Sequence, residues 1–291
     1  MTPRVAVQPR GPYSLALTAR FAGDATRRLR DGVFVAAFDD GLARAWQRPD
    51  GAVVLEGSDA SVERLRWVLA LDEDVSEFLR RFAGDKLLRE PIRELRGLRL
   101  LRTATVAQAL LRALCGQLIE SSRARSLERG IVRRLTPEVA DGLHAPPSSA
   151  DFARTSPAEL RALGLHARRG AALVRICSTL ELERLRALPT DVAAARLRRE
   201  RGLGPWSVGV VCIQGLGRRE LGLVNDLGLV KLLSALRGRW AEPWETEELL
   251  APYGDWAGLA SAYLLAGFGR GLIARDDGRR VSRYRRLRSA A

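Results

Sequence analysis

The spacing of apolar residues changes partway along the chain, and that change predicts the architecture. Residues 32–38 (GVFVAAF) and 42–47 (LARAWQ) are short apolar-rich runs that pair through the turn Asp39-Asp40-Gly41. Asp50-Gly51 is a second hairpin signal, and residues 52–56 form the next strand. Residues 13–21 alternate with Leu15, Leu17 and Ala19 on one side, which predicts a further strand. Helical spacing sets in over 60–71. Residues 72–101 are mostly helical and charged, with acidic residues at a helix start and breaks at Pro91 and Gly97. Beyond this the pattern is helical throughout. The expected fold class is α+β: a small antiparallel-sheet domain over 1–94, a larger all-helical region over 95–274, and a basic tail over 275–291.

Within the helical region, residues 106–135 read as a helix pair broken near Gly116. The first helix buries Leu110, Ala113 and Leu114, and the second carries five arginines. Residues 145–155 are a proline- and serine-rich connection. Ser156 and Pro157 then start a helix as N-cap and first helical residue. Two helices follow, separated at Gly164.

Residues 190–217 form the most informative stretch, two short helices joined by a tight glycine turn. Thr190 is placed as N-cap and Gly202 ends the first helix, since glycine takes the left-handed conformation cheaply. Gly204 precedes Pro205, and proline suits the first position of the second helix. The amides of Leu203, Gly204, Trp206 and Ser207 then lie at a helix N-terminus. There the unpaired N–H groups and the helix dipole favour an anion such as phosphate. An ordinary αα-hairpin that only packs a core has the same glycine-proline signature.

Composition narrows the classes. The 291 residues carry a net charge of +14, and Lys86 and Lys231 are the only lysines among 48 basic residues. Arginine in such excess suits phosphate contacts, and it also follows from a GC-rich genome. No run of about 18 apolar residues predicts a membrane span, and the N-terminus lacks the apolar core of a signal peptide. The expected location is cytoplasmic. The three cysteines, Cys115, Cys177 and Cys212, are far apart within apolar helical patterns and lack zinc-ligand spacing. His144 and His166 lie in polar surroundings and suggest neither a triad nor a metal site. Trp240 and Trp244 sit in a proline-containing loop and are expected to pack.

Three motifs in order carry a family likeness: Gly202-Leu-Gly-Pro-Trp-Ser207, Gly215-Leu-Gly-Arg218 and Asn225-Asp-Leu-Gly-Leu229. Asp226 lies 22 residues after Gly204. Together they resemble the helix-hairpin-helix DNA glycosylase superfamily, and within it the 3-methyladenine DNA glycosylase II (AlkA-type) branch. The stretch around Gly116-Gln117-Leu118 resembles the same branch. The likeness covers about the last two-thirds of the chain.

The resemblance implies an enzyme that flips an alkylated purine out of duplex DNA and hydrolyses its N-glycosidic bond, leaving an abasic site. It makes Asp226 the catalytic carboxylate, although Asp before an apolar helix is also a common N-cap. It places Trp206 and Gln117 at the base pocket and Leu118 as a wedge in the DNA stack. Leu118 is equally suited to a helix–helix core. Gly202, Leu203, Gly204 and Ser207 are the expected phosphate contacts. Trp206 stands where bifunctional members carry a lysine, so no strand-cleaving lyase activity is expected. No organic cofactor or catalytic metal is implied, though the family's hairpin carbonyls can hold a monovalent cation. The expected partner is double-stranded DNA with damaged bases, bound by a monomer.

Two departures leave the lesion open. Val210 replaces a family tyrosine, and Leu265 stands where a tryptophan is expected, with Tyr263 two residues earlier as a partial substitute. Other readings are the same fold acting on an oxidised or deaminated base, or a non-catalytic damaged-DNA-binding module.

Overall fold

The structure is a computed structural model that describes residues 3–117 and 119–273. The wedge expected at Leu118 and the basic tail at 275–291 fall outside the described residues. Strands β1 (Arg4–Val7), β2 (Arg27–Arg30), β3 (Val33–Phe38), β4 (Gly41–Gln47) and β5 (Val53–Glu56) form one antiparallel sheet in the order β1-β5-β4-β3-β2. Phe34 pairs with Ala45, which pairs in turn with Leu55, so one face is continuously apolar. That face packs on α1 (Leu15–Thr18) and α2 (Asp59–Val68) through Leu15, Val62, Leu65 and Val68.

Residues 13–21 are not a strand. Ser14 Oγ accepts from Leu17 N at 3.3 Å and caps the single turn of α1. Leu15 and Ala19 are both buried, and a spacing of four satisfies a helical turn as well as an alternating strand. The edge strands β1 and β2 lack a clear alternating pattern. Only Val7 of β1 is even partly buried, and β2 has the sequence RRLR.

Among the described residues twelve α-helices follow, and they pack as two clusters. One contains α5 (Val106–Gly116), α6 (Ser121–Leu135), α7 (Ser149–Ala153), α8 (Pro157–Ala162), α9 (Ala167–Thr179), α10 (Thr190–Arg198) and α11 (Pro205–Val210). The other contains α3 (Ser76–Arg81), α4 (Arg89–Glu94), α12 (Leu227–Arg237), α13 (Glu245–Leu250) and α14 (Ala257–Gly269). Ser156 caps α8 with Glu159 answering in a capping box, and Pro157 is its first residue. A small hairpin, β6 (Glu138–Ala140) and β7 (Leu143–His144), interrupts the helical pattern.

Buried arginines join these parts. Arg99 is 1% exposed, and its guanidinium donates to the carbonyls of Ala70 and Leu71 at 2.6 and 3.1 Å and to those of Arg10 and Pro12. Arg112 donates to Asp24, Glu128 and Gln214 at 2.7, 2.7 and 2.9 Å. Burial disfavours its charge, but Glu128 and Asp24 outweigh that and hold its pKa above the ordinary value. No helix among the described residues is long and apolar enough to cross a membrane.

Candidate active site

The site lies at the seam between the two helical clusters. Gly202, with φ of +100°, turns the chain out of α10, and Gly204 is the N-cap of α11 with Pro205 at its first position. The first residue of α10 is Thr190, and Pro189 occupies the cap position without a side-chain bond. From α9, Arg175 pairs with Glu200 and donates to the Arg201 carbonyl at 2.8 Å, which fixes the turn from behind. A π-helical turn, Val211–Gly215, continues α11.

The turn presents donors unevenly. Leu203 N donates to Glu200 O at 3.1 Å, so this amide serves the turn and not an anion. No side chain caps α11, which leaves its first-turn amides at Trp206 and Ser207 without intrahelical partners. Gly204 is exposed, and a Cβ there would meet nothing within 4 Å. The Ser207 hydroxyl is turned inward, where it accepts from Gln117 Nε2 at 2.9 Å. The same Nε2 donates to Gly202 O at 2.9 Å. Gln117 therefore ties the end of α5 to both sides of the hairpin. The Arg201 and Gly202 carbonyls each accept one hydrogen bond from a protein side chain.

Asp226 sits across the seam as the N-cap of α12. Its Oδ1 accepts from Gly228 N at 2.7 Å and from Leu229 N at 3.3 Å. Its Oδ2 accepts from Trp206 Nε1 at 2.8 Å. Asn225, at φ of +68°, makes the turn into the cap, and its amide donates to Thr246 Oγ1 at 2.8 Å. The carboxylate is thus fixed by the helix dipole and one indole, and it remains partly exposed.

The sequence pattern did not single out Gly116 as a site residue. A Cβ there would lie 2.6 Å from Trp206 Cη2, so the indole rests on the bare backbone at the end of α5. Its only signal was its place beside Gln117. Leu265 is also near the carboxylate: a Cβ on Gly228 would lie 2.5 Å from Leu265 Cδ2 and 3.0 Å from Asp226 Oδ1.

Tyr263 does not line this site. It is 0% exposed, its hydroxyl donates to Leu95 O and Leu98 O at 3.2 Å each, and its ring packs 5.2 Å from Phe78. Val210 is likewise a core residue. The wall beside Asp226 therefore has leucine where an aromatic side chain was sought. Burial pushes the Cys177 and Cys212 thiols up to about 12 and raises that of Cys115, so none is a thiolate near neutral pH.

Comparison with known proteins places this geometry. No protein-family model matches the chain. A DNA-3-methyladenine glycosylase of Bacillus subtilis is 26% identical over 204 residues, 67% of each chain. A protein of Mycobacterium tuberculosis described as a probable bifunctional transcriptional activator/DNA repair enzyme AlkA is 27% identical over 170 residues. That match covers 57% of this chain and only 34% of the longer relative. The structure of a 3-methyladenine DNA-glycosylase from Archaeoglobus fulgidus superposes with a TM-score of 0.79 at 22% identity, covering 90% of this chain and 97% of that one. An 8-oxoguanine glycosylase/lyase of Clostridium acetobutylicum, in complex with double-stranded DNA, gives 0.75 at 14% identity, covering 93% and 98%. The hairpin, the capping aspartate and these relatives point the same way: the chain has the fold of the helix-hairpin-helix DNA glycosylases and is similar in sequence to 3-methyladenine glycosylases of the AlkA type.

Proposed function

We propose that this protein is a monofunctional DNA glycosylase that removes alkylated purines of the 3-methyladenine type from duplex DNA. The observation that carries the reading is the Asp226 carboxylate, fixed by Trp206 and the start of α12 beside the phosphate-binding hairpin. The α11 amides and Gly204 hold a backbone phosphate, with the exposed Arg199 and Arg201 adding positive charge. The flipped nucleotide then sits in the seam with its sugar near Asp226.

The base departs with the electrons of the C1′–N bond, and positive charge builds on the deoxyribose. Asp226 stabilises that charge and takes a proton as water adds at C1′. Trp206 occupies the place where a lysine would form a Schiff base, which supports hydrolysis without strand cleavage. No metal or organic cofactor is needed for this route.

The aliphatic wall at Leu265 favours a second reading on substrate. Less aromatic surface stacks less strongly on electron-poor alkylated bases, so an oxidised or deaminated base is the alternative lesion.

The test compares wild type with Asp226→Asn on methylated duplex DNA, identifying released bases and counting abasic sites. Release of 3-methyladenine by wild type alone, with binding to an abasic-site analogue retained by both, supports the reading. Release that survives in the variant removes Asp226 from the mechanism. A lesion panel separates the two substrates, and a borohydride-trapped protein–DNA adduct would overturn the monofunctional assignment.

A further inference from the structure

A second cleft, of about 660 Å³, shares no residue with the site at Asp226. It opens between α6, strand β2 and the β6–β7 turn. Ser126, Arg129, Gly130 and Arg133 line it from α6, and their spacing puts them on one helix face. Arg28 faces them from β2. Its guanidinium is oriented by the β6–β7 turn, donating to Asp141 O at 2.8 Å with Asp141 Oδ2 at 3.5 Å.

The charges in the cleft do not cancel. Asp24 lines it, but that carboxylate is committed to Arg27 at 3.1 Å and Arg112 at 2.7 Å. Asp141 is paired with Arg28. Among the described residues, neither Arg129 nor Arg133 has an ion-pair or hydrogen-bond partner. Two guanidinium groups are therefore left over in a recess that also holds a third, pre-oriented one.

The α6 wall is kept low at an exposed glycine. Gly130 lies inside α6, where glycine is less favourable than alanine. A Cβ at Gly130 would meet nothing within 4 Å, so no neighbour demands the glycine. The same is true of Gly23 at the rim, whereas Gly142 has a φ of +72° that its turn requires. Unpaired arginines around a recess cleared of side chains suit a tetrahedral oxyanion.

We propose that this cleft is a second anion site that binds a phosphate group through Arg28, Arg129 and Arg133. The phosphate belongs either to a DNA strand beyond the hairpin contact or to a free phosphate-bearing small molecule. The site does not depend on which base is excised, or on whether excision occurs.

The test uses the full chain with three variants. Arg129→Ala/Arg133→Ala removes the charge, Gly130→Met raises the α6 wall without changing it, and Arg80→Ala/Arg81→Ala removes equal charge elsewhere. Arg129 and Arg133 lie about 12 and 18 Å along α6 from its start near Gln117. Binding is measured to duplexes of about 9 and about 25 base pairs with a central abasic-site analogue; the shorter reaches only about 15 Å each way. Inorganic pyrophosphate is titrated in parallel by calorimetry.

If the ligand is a DNA strand, the first two variants lose about tenfold in affinity for the longer duplex and less for the shorter, whose arm passes Arg129 but stops short of Arg133. The charge variant also flattens the salt slope by about 1.8. If it is a free compound, they lose pyrophosphate binding and hold both duplexes normally. Unchanged binding of every probe overturns the proposal, as do equal losses in the Arg80/Arg81 variant. These readouts are binding alone, so a failure of base release in the Asp226 experiment leaves them interpretable.

Discussion

Trp206 donates its indole N–H to Asp226 Oδ2 at 2.8 Å, and its ring rests on the backbone of Gly116. A residue expected only to line the base pocket therefore also sets the rotamer of the carboxylate. Trp206→Phe keeps a ring on Gly116 and removes the donor. A hydrogen bond to a charged group contributes about 1.5–3 kcal/mol, so kcat for base release is expected to fall about 10- to 100-fold. KM changes little. A loss confined to KM would mean that the indole serves only as a stacking surface.

Gly116 has its own consequence. A methyl group at this position would lie 2.6 Å from Trp206 Cη2 and force the ring away from its seat. Gly116→Ala is expected to destabilise the protein by about 1–3 kcal/mol through overpacking. Activity is lost more steeply than stability, because the Trp206–Asp226 bond moves with the ring. Thermal unfolding and base release measured together check this, and unchanged activity would show that the ring has room to shift.

Asp226 is both a cap and the proposed catalytic group, and two substitutions separate the roles. Asp226→Asn keeps an oxygen for the Gly228 and Leu229 amides, so the cap is retained, while its NH2 no longer accepts from Trp206 and base release is lost. Asp226→Ala removes the cap as well, at about 1 kcal/mol. For a chain of 291 residues that lowers Tm by roughly 2 °C. Equal Tm values for the two variants would remove the cap from the account.

The hairpin was legible because it rests on local backbone rules. Gly202 needs a positive φ and Pro205 suits the first position of a helix, so local rules placed the hairpin, whereas Asn225 suited the cap of α12 as well as Asp226 and the family resemblance singled out Asp226. Side-chain direction was not legible in the same way. Tyr263 and Leu265 are two residues apart on α14, yet Tyr263 is in the core and Leu265 is beside Gly228. A shift of two positions moves a residue to the far side of a helix. The Gly116–Trp206 contact joins residues 90 positions apart, which periodicity does not report. Trp240 and Trp244, expected to pack, are 37% and 60% exposed. Their loop is held by polar groups instead of an apolar seat.

Those polar groups give a pH dependence. Glu245 is buried and pairs with Arg237 and Arg239, the latter at 3.0 Å, and it also accepts from Glu242 N at 2.5 Å. The hydrogen bond from Arg239, followed by that from the Glu242 amide, holds its carboxyl down at about 2, against an ordinary 4.5. A carboxyl depressed on folding stabilises fully above its unfolded pKa, and that contribution fades as pH falls through its folded value. The clamp is therefore intact above about pH 4.5 and weakens towards pH 2. Trp244 immediately precedes Glu245, so its fluorescence reports the change, with Trp244→Phe as the reference. Glu245→Gln is expected to remove this acid transition and to leave the loop loosened already at neutral pH. An unchanged fluorescence profile in Glu245→Gln would show that the loop is held by something other than this carboxylate.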